Sequence, residues 1–109
     1  MKGWSEVTRI SVVVLNFNGK QYLRDCLSSL ALQTCRDYEV IVVDNGSCDG
    51  SVEYLRSNFP WVKVVRNEEN LGFAEGTNSG IRAASGDLIL TLNNDTKADK
   101  NFIKLLTDP

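Results

Sequence analysis

Residues Asp87 to Thr96 read DLILTLNNDT. Leu88 to Leu92 form a short apolar run that carries Ile and Thr, residues favouring extended chain. It is too short for an ordinary helix, so a buried strand is expected there. The run stops abruptly at Asn93, Asn94 and Asp95. In an open α/β sheet ligands collect beyond the carboxyl ends of the strands, so these three residues are expected on a binding rim.

Three earlier runs have the same form. Ile10 to Leu15 (ISVVVL) ends in Asn16, Phe17, Asn18 and Gly19, and Tyr38 to Val43 (YEVIVV) ends in Asp44, Asn45, Gly46 and Ser47. Both are nearly continuous Val, Ile and Leu, as in strands covered on both faces. Trp61 to Arg66 (WVKVVR) is shorter and alternates, as nearer a sheet edge. Between the strands, Leu23, Cys26, Leu27 and Leu30 recur at i, i+3, i+4 and i+7, which predicts a helix over Gln21 to Leu32. A short helix through Val52 and Leu55 follows the Asp49-Gly50-Ser51 turn and stops ahead of Pro60. Phe73 to Ser85 is expected to be helical, with Ala74, Ile81 and Ala84 inward and Gly86 as its stop. Phe102 to Leu106 supplies a last amphipathic turn or two. Alternation of strand and helix implies parallel strands joined by right-handed crossovers. The expected fold is α/β: a Rossmann-like, mostly parallel sheet of about four strands with flanking helices.

The chain's 109 residues suit one small domain. Net charge is −2 with scattered Lys and Arg, which leaves no footprint for nucleic acid or an anionic membrane surface. No apolar run approaches the roughly 20 residues that span a bilayer. Met1 to Arg9 lacks a signal-peptide core, so a cytoplasmic location is expected. Cys26, Cys35 and Cys48 form no C-x-x-C pair, and neither a disulfide framework nor a zinc site is expected. The absence of histidine from the chain removes imidazole bases and ligands. There is no G-x-x-x-x-G-K-[ST] loop, no G-x-G-x-x-G after the first strand and no G-x-S-x-G elbow.

Each candidate group has a functional and a purely structural explanation. Asp95 could ligate Mg2+ or Mn2+ that a diphosphate also holds, since such ions need few protein carboxylates; it could equally sit in an Asx turn. Asp44 could accept a hydrogen bond from a ribose or base, or cap the next helix. Asn16 and Asn18 offer amides on the same rim, and Phe17 could stack on a base or fill the core. In Asn70 to Ile81 (NLGFAEGTNSGI), Gly72, Gly76 and Gly80 recur every fourth position, for close packing or for close approach to a ligand. Asn78, expected on the inward face, would need a partner there.

Taken in order, SVVVLNFNG, CLSSLALQT, YEVIVVDNGSCDGS, NLGFAEGTNSGIRAASGD and LTLNNDT resemble the nucleotide-sugar-binding half of family 2 glycosyltransferases of the GT-A fold. The resemblance implies that Asn16, Phe17 and Asn18 cradle the base and that Asp44 bonds base or ribose. Gly72, Phe73 and Asn78 would line the nucleotide side. Asn93, Asn94 and Asp95 match the D-x-D motif, with Asp95 as metal ligand and Asn93 replacing the first acid. The implied donor is a dTDP-, UDP- or GDP-sugar, and members reading LNNDT often resemble transferases of rhamnose or related deoxysugars. The implied acceptor is a glycan or lipid-linked molecule, reached at the inner face of a membrane in the full-length context. The family's catalytic domain is longer and carries its general base in the part not matched here, so residues 1–109 are expected to be a single truncated domain, inactive alone. A non-catalytic nucleotide-sugar-binding or oligomerising remnant is the alternative, and a nucleotidyltransferase a weaker one; self-association through an exposed sheet edge is expected.

Overall fold

The computed structural model describes residues 9–34 and 37–107, with side chains described as far as Lys104. Cys35 and the first eight residues lie outside that range. The elements alternate throughout: β1 (Ile10–Asn16), α1 (Lys20–Ala31), β2 (Tyr38–Asn45), α2 (Ser51–Asn58), β3 (Lys63–Asn67), α3 (Gly72–Ala83), β4 (Leu88–Asn93) and α4 (Phe102–Thr107). The four strands form one sheet in the order β3-β2-β1-β4. Every pairing is parallel, with Ile10 opposite both Tyr38 and Leu88. This is the expected α/β architecture.

The strand pleat divides the core in two. Ile10, Val12 and Val14 of β1, with Val40 and Val42 of β2, pack on Leu23, Cys26, Leu27 and Leu30 of α1, Leu55 of α2 and Ile103 of α4. Val13, Ile41 and Val43 point to the opposite face, where Ala83 and Ala84 at the end of α3 meet them. Burying each such aliphatic side chain contributes about 1.5–3 kcal/mol, and the two central strands supply half of the buried hydrophobic residues described.

Three expectations are corrected. α3 does not pack through Ala74 and Ile81, which are exposed; its buried residues are Gly76, Ser79 and Gly80. A Cβ on Gly76 would lie 2.7 Å from Leu15 Cδ1, and one on Gly80 2.4 Å from Val13 Cγ1. The helix therefore approaches the sheet through residues that have no side chain, which a count of apolar residues cannot register. Asn78 accordingly faces away from the sheet and is exposed. Only Ala84 of the expected inward set packs on the core.

The second correction concerns β4. Among the described residues it pairs with β1 alone and is an edge strand, with Leu88 49% and Ile89 39% exposed. Leu90 and Leu92 are partly buried against the α1 side. Gly86 is likewise no helix stop. α3 ends at Ala83, Ala84 is extended (φ −75°, ψ 142°), and Lys63 Nζ donates to the Ala83 carbonyl at 2.9 Å. Gly86 instead leaves room for Ser11, whose Oγ a Cβ would meet at 2.6 Å.

Candidate donor-binding site

The chain runs from β1 outward through β2 to β3, then returns to place β4 on the other side of β1. β1 and β4 are thus neighbours although far apart in the chain, and the loops that follow them leave the same end of the sheet, the rim beyond which open parallel sheets bind their ligands. Asn16, Asp44 and Asn93, the terminal polar residues of β1, β2 and β4, fall on that rim.

A continuous hydrogen-bond chain crosses it. Asn94 Nδ2 donates to Asn16 Oδ1 at 2.8 Å, and Asn16 Nδ2 donates to Asp44 Oδ1 at 3.0 Å and to Ser47 Oγ at 3.4 Å. The Ser47 amide closes back on Asp44 Oδ2 at 3.0 Å. Asn16 and Asp44 have no solvent-exposed surface (0%). Asn18 adopts φ 49°, a conformation asparagine tolerates better than most residues. Its amide donates to Ser47 Oγ and its Oδ1 accepts from the Cys48 amide, both at 2.8 Å. The loops after β1 and β2 are thus mutually fixed. Phe17 stands 48% exposed between these anchors and does not plug the core.

A second asparagine cluster holds the start of α3. Asn45 Nδ2 donates to Asn70 Oδ1 at 2.9 Å and to the Gly72 carbonyl at 3.1 Å, while Asn45 Oδ1 accepts from Asn67 and from the Leu71 amide. Gly72 has φ 86°, and a Cβ there would meet nothing within 4 Å, so conformation rather than space calls for glycine. Phe73 follows, 68% exposed. Asn78 lies on the outer side of α3, 3.4 Å from Glu75 Oε1.

On the β4 side, the Thr96 amide bonds back to the Asn93 carbonyl at 3.1 Å, which makes residues 93–96 a turn. Asn93 and Asp95 are exposed and Asn94 is half-buried. Cys26 Sγ lies 3.9 Å from the Asn93 carbonyl. Burial, and secondarily the Asp95 carboxylate, push the Cys26 thiol up to about 11. Among the described residues no three His, Cys, Asp or Glu side chains converge on one point. One exposed carboxylate flanked by amide oxygens is a poor zinc set. It does suit Mg2+ or Mn2+, which accept oxygen ligands and keep water and phosphate in most positions.

Ser47, Asn45 and Gly19 organise the rim without having been candidates. Ser47 lies three residues after Asp44, the short range at which an Asp side chain bonds a following amide. Asp49 has a comparable local role: its Oδ2 accepts the Lys20 amide at 3.0 Å, and its Oδ1 accepts the amide and hydroxyl of Ser51. One carboxylate so serves the first turns of α1 and α2. Burial raises its affinity for a proton, but these hydrogen bonds outweigh that and hold it below the usual carboxylate range. Beside the rim lies an open groove of ≈ 560 Å³ whose lining includes Lys20, Ser47, Cys48 and Tyr54.

The family model described as glycosyl transferase family 2 matches residues 11–109. The chain belongs to that family. It is 38% identical over 99 residues to the uncharacterized glycosyltransferase YfnE of Bacillus subtilis, covering 87% of this chain and 25% of the relative. An uncharacterized glycosyltransferase of Haemophilus influenzae is 41% identical over 86 residues, covering 79% and 29%. Among solved structures, S. aureus TarS 1-349 in complex with UDP superposes with a TM-score of 0.84 at 28% identity, over 91% of this chain and 31% of that one. The mannosyltransferase PcManGT of Pyrobaculum calidifontis, in complex with GDP-Man and Mn2+, gives a TM-score of 0.76 at 27% identity, covering 93% and 33%. The chain thus spans less than a third of the length of the two relatives and about a third of the two structures. No helix among the described residues is long and apolar enough to cross a membrane.

Proposed function

We propose that residues 1–109 form the donor-binding half of an inverting, metal-dependent glycosyltransferase that takes a nucleotide-diphosphate sugar. The observation that carries this is the hydrogen-bonded rim, in which Asn94, Asn16, Asp44 and Ser47 join three strand ends into one surface. The TarS and PcManGT complexes, with UDP and with GDP-Man, support a nucleotide ligand for such a rim. Phe17 and Asn18 are exposed and free to meet the base. Asp44 is enclosed, so its contact with base or ribose requires the Ser47 loop to yield as the ligand enters. Gly72 and Phe73 border the same side, whereas Asn78 would be reached only around the outer face of α3.

Asp95 would hold Mg2+ or Mn2+, with Asn93 and Asn94 beside it. When bound, the ion supplies positive charge that steadies a departing diphosphate. Because the chain offers one carboxylate there, most of the ion's affinity would come from the diphosphate itself. Activation of an acceptor hydroxyl falls to a base outside residues 1–109, so the chain alone binds donor without transferring sugar. In the cell we place the domain in the cytoplasm, working on a glycan or lipid-linked acceptor. The unpaired outer edge of β4 favours self-association of the isolated chain.

Titration calorimetry with UDP, dTDP and GDP, with and without Mn2+, tests this reading. Micromolar binding of one nucleotide, tightened by Mn2+ and losing that tightening in Asp95→Ala, is expected. Equal binding with and without metal would count against it.

A further inference from the structure

Gly19 follows β1 with φ −112° and ψ 30°, a conformation open to any residue, so its backbone does not explain the glycine. Space does. A Cβ on Gly19 would lie 2.1 Å from Asn94 Nδ2 and 2.7 Å from Asn16 Oδ1, the two atoms of the Asn94–Asn16 hydrogen bond. Gly19 keeps clear the volume this bond occupies.

Chemistry fixes the direction of the chain. The Asp44 carboxylate can only accept, so the Asn16 amide nitrogen must face it and the Asn16 oxygen must face Asn94. Asn94 is then obliged to present its nitrogen to Asn16. No described residue donates to Asn94 Oδ1, which stays available on the half-buried turn beside Asp95. With Asn16 wholly buried, water cannot substitute for a lost partner, and an unmatched polar group there is costly.

We infer that Asn16 and Gly19 are positioning residues that couple the nucleoside side of the site to the metal side, a role that rests on the donor-binding reading above. As a nucleoside enters and the Asp44–Ser47 loop yields, the shift passes through the Asn16 amide, bonded to Asp44 and Ser47, to Asn94 and the turn that carries Asp95. Coupling of this kind is reciprocal: metal and diphosphate at the turn tighten the nucleoside side to the same degree.

The test is the factor by which Mn2+ tightens UDP, GDP or dTDP binding, measured by calorimetry on the chain and on Gly19→Ala, Asn94→Ala and the double variant. In Gly19→Ala the tightening by Mn2+ is expected to fall about fivefold, the worth of one ordinary hydrogen bond. In the Asn94→Ala background, Gly19→Ala is expected to lower it no further, since the bond it displaces is already gone. An unchanged factor in folded Gly19→Ala, or full additivity of the two substitutions, would overturn the coupling while leaving donor binding intact. Should Gly19→Ala fail to fold, Asn94→Ala breaks the same bond without inserting an atom, and an unchanged factor there overturns the coupling. Absence of nucleotide binding by the unaltered chain would overturn both readings.

Discussion

Gly80 of α3 and Val13 of β1 are in such close register that a Cβ on the glycine would stand 2.4 Å from Val13 Cγ1 and 2.9 Å from Val43 Cγ2. Helix and sheet meet here at backbone distance. Alanine would favour the helix by about 1 kcal/mol, whereas overpacking a filled core costs about 1–3 kcal/mol. Gly80→Ala is therefore expected to lower stability by up to about 2 kcal/mol, read as a lower urea midpoint. Combining it with Val13→Ala should recover part of the loss; strict additivity would show that the two positions do not compete for space.

At the opposite end of the sheet, Glu39 Oε2 accepts from Ser11 Oγ at 2.5 Å, from the Ser85 amide at 2.7 Å and from Ser85 Oγ at 2.9 Å. Burial raises its proton affinity, but the Ser11 and Ser85 hydrogen bonds, with the Arg9 charge, outweigh it and bring the carboxyl from 4.5 down to about 2. A carboxyl depressed on folding lends stability that is complete above its unfolded value and is lost as pH falls through the folded one. The urea midpoint should decline between pH 4.5 and about 2, and Glu39→Gln should flatten that part of the profile. At neutral pH the variant is expected to be about 1–2 kcal/mol less stable, because charge-assisted bonds become neutral ones.

The cysteines Cys26 and Cys48 differ in environment. Cys48 is exposed, whereas Cys26 is buried and its thiol is pushed up to about 11. Only a thiolate reacts readily, so a maleimide pulse at neutral pH should label Cys48 within minutes and spare Cys26 until the chain unfolds. Peptide mass spectrometry distinguishes the two; equal labelling under native conditions would contradict the packing of α1 on the sheet.

β4 offers an unpaired edge with Leu88 and Ile89 exposed. The isolated chain is expected to dimerise or associate further at high micromolar concentration, and Ile89→Lys to shift it toward monomer, since edge lysines oppose pairing. Size-exclusion chromatography with light scattering decides this, and a strictly monomeric unaltered chain would refute it.

How much of this was legible in the chain depended on where side chains report their surroundings. β1 and β2 are continuous apolar runs because both of their faces are covered, and their extent follows directly from the residues. LILTL has the same appearance in β4, yet that strand has one neighbour; a run of residues records apolarity but not how many strands flank it. α3 departs from its apolar pattern for the opposite reason. Its contact face is Gly76, Ser79 and Gly80, which carry almost no apolar signal, whereas the apolar periodicity points to Ala74 and Ile81. Asn16, Asp44 and Asn94 were recognisable as a polar rim from their positions at strand ends. The bonds joining them were not, because they depend on strand order and register.

The bond from Asn94 to Asn16 closes over 78 positions, and β1 lies in the interior of the sheet although it comes first in the chain. During synthesis β1, β2 and β3 can join as each emerges, through short crossovers that local contacts make fast. The rim remains incomplete until β4 arrives to flank β1 on its other side. A nascent chain halted before Leu88 would own a partial sheet and most of the core yet lack the Asn94 end of the rim. The donor binding proposed above would thus be acquired near the end of translation of these residues, later than compactness itself.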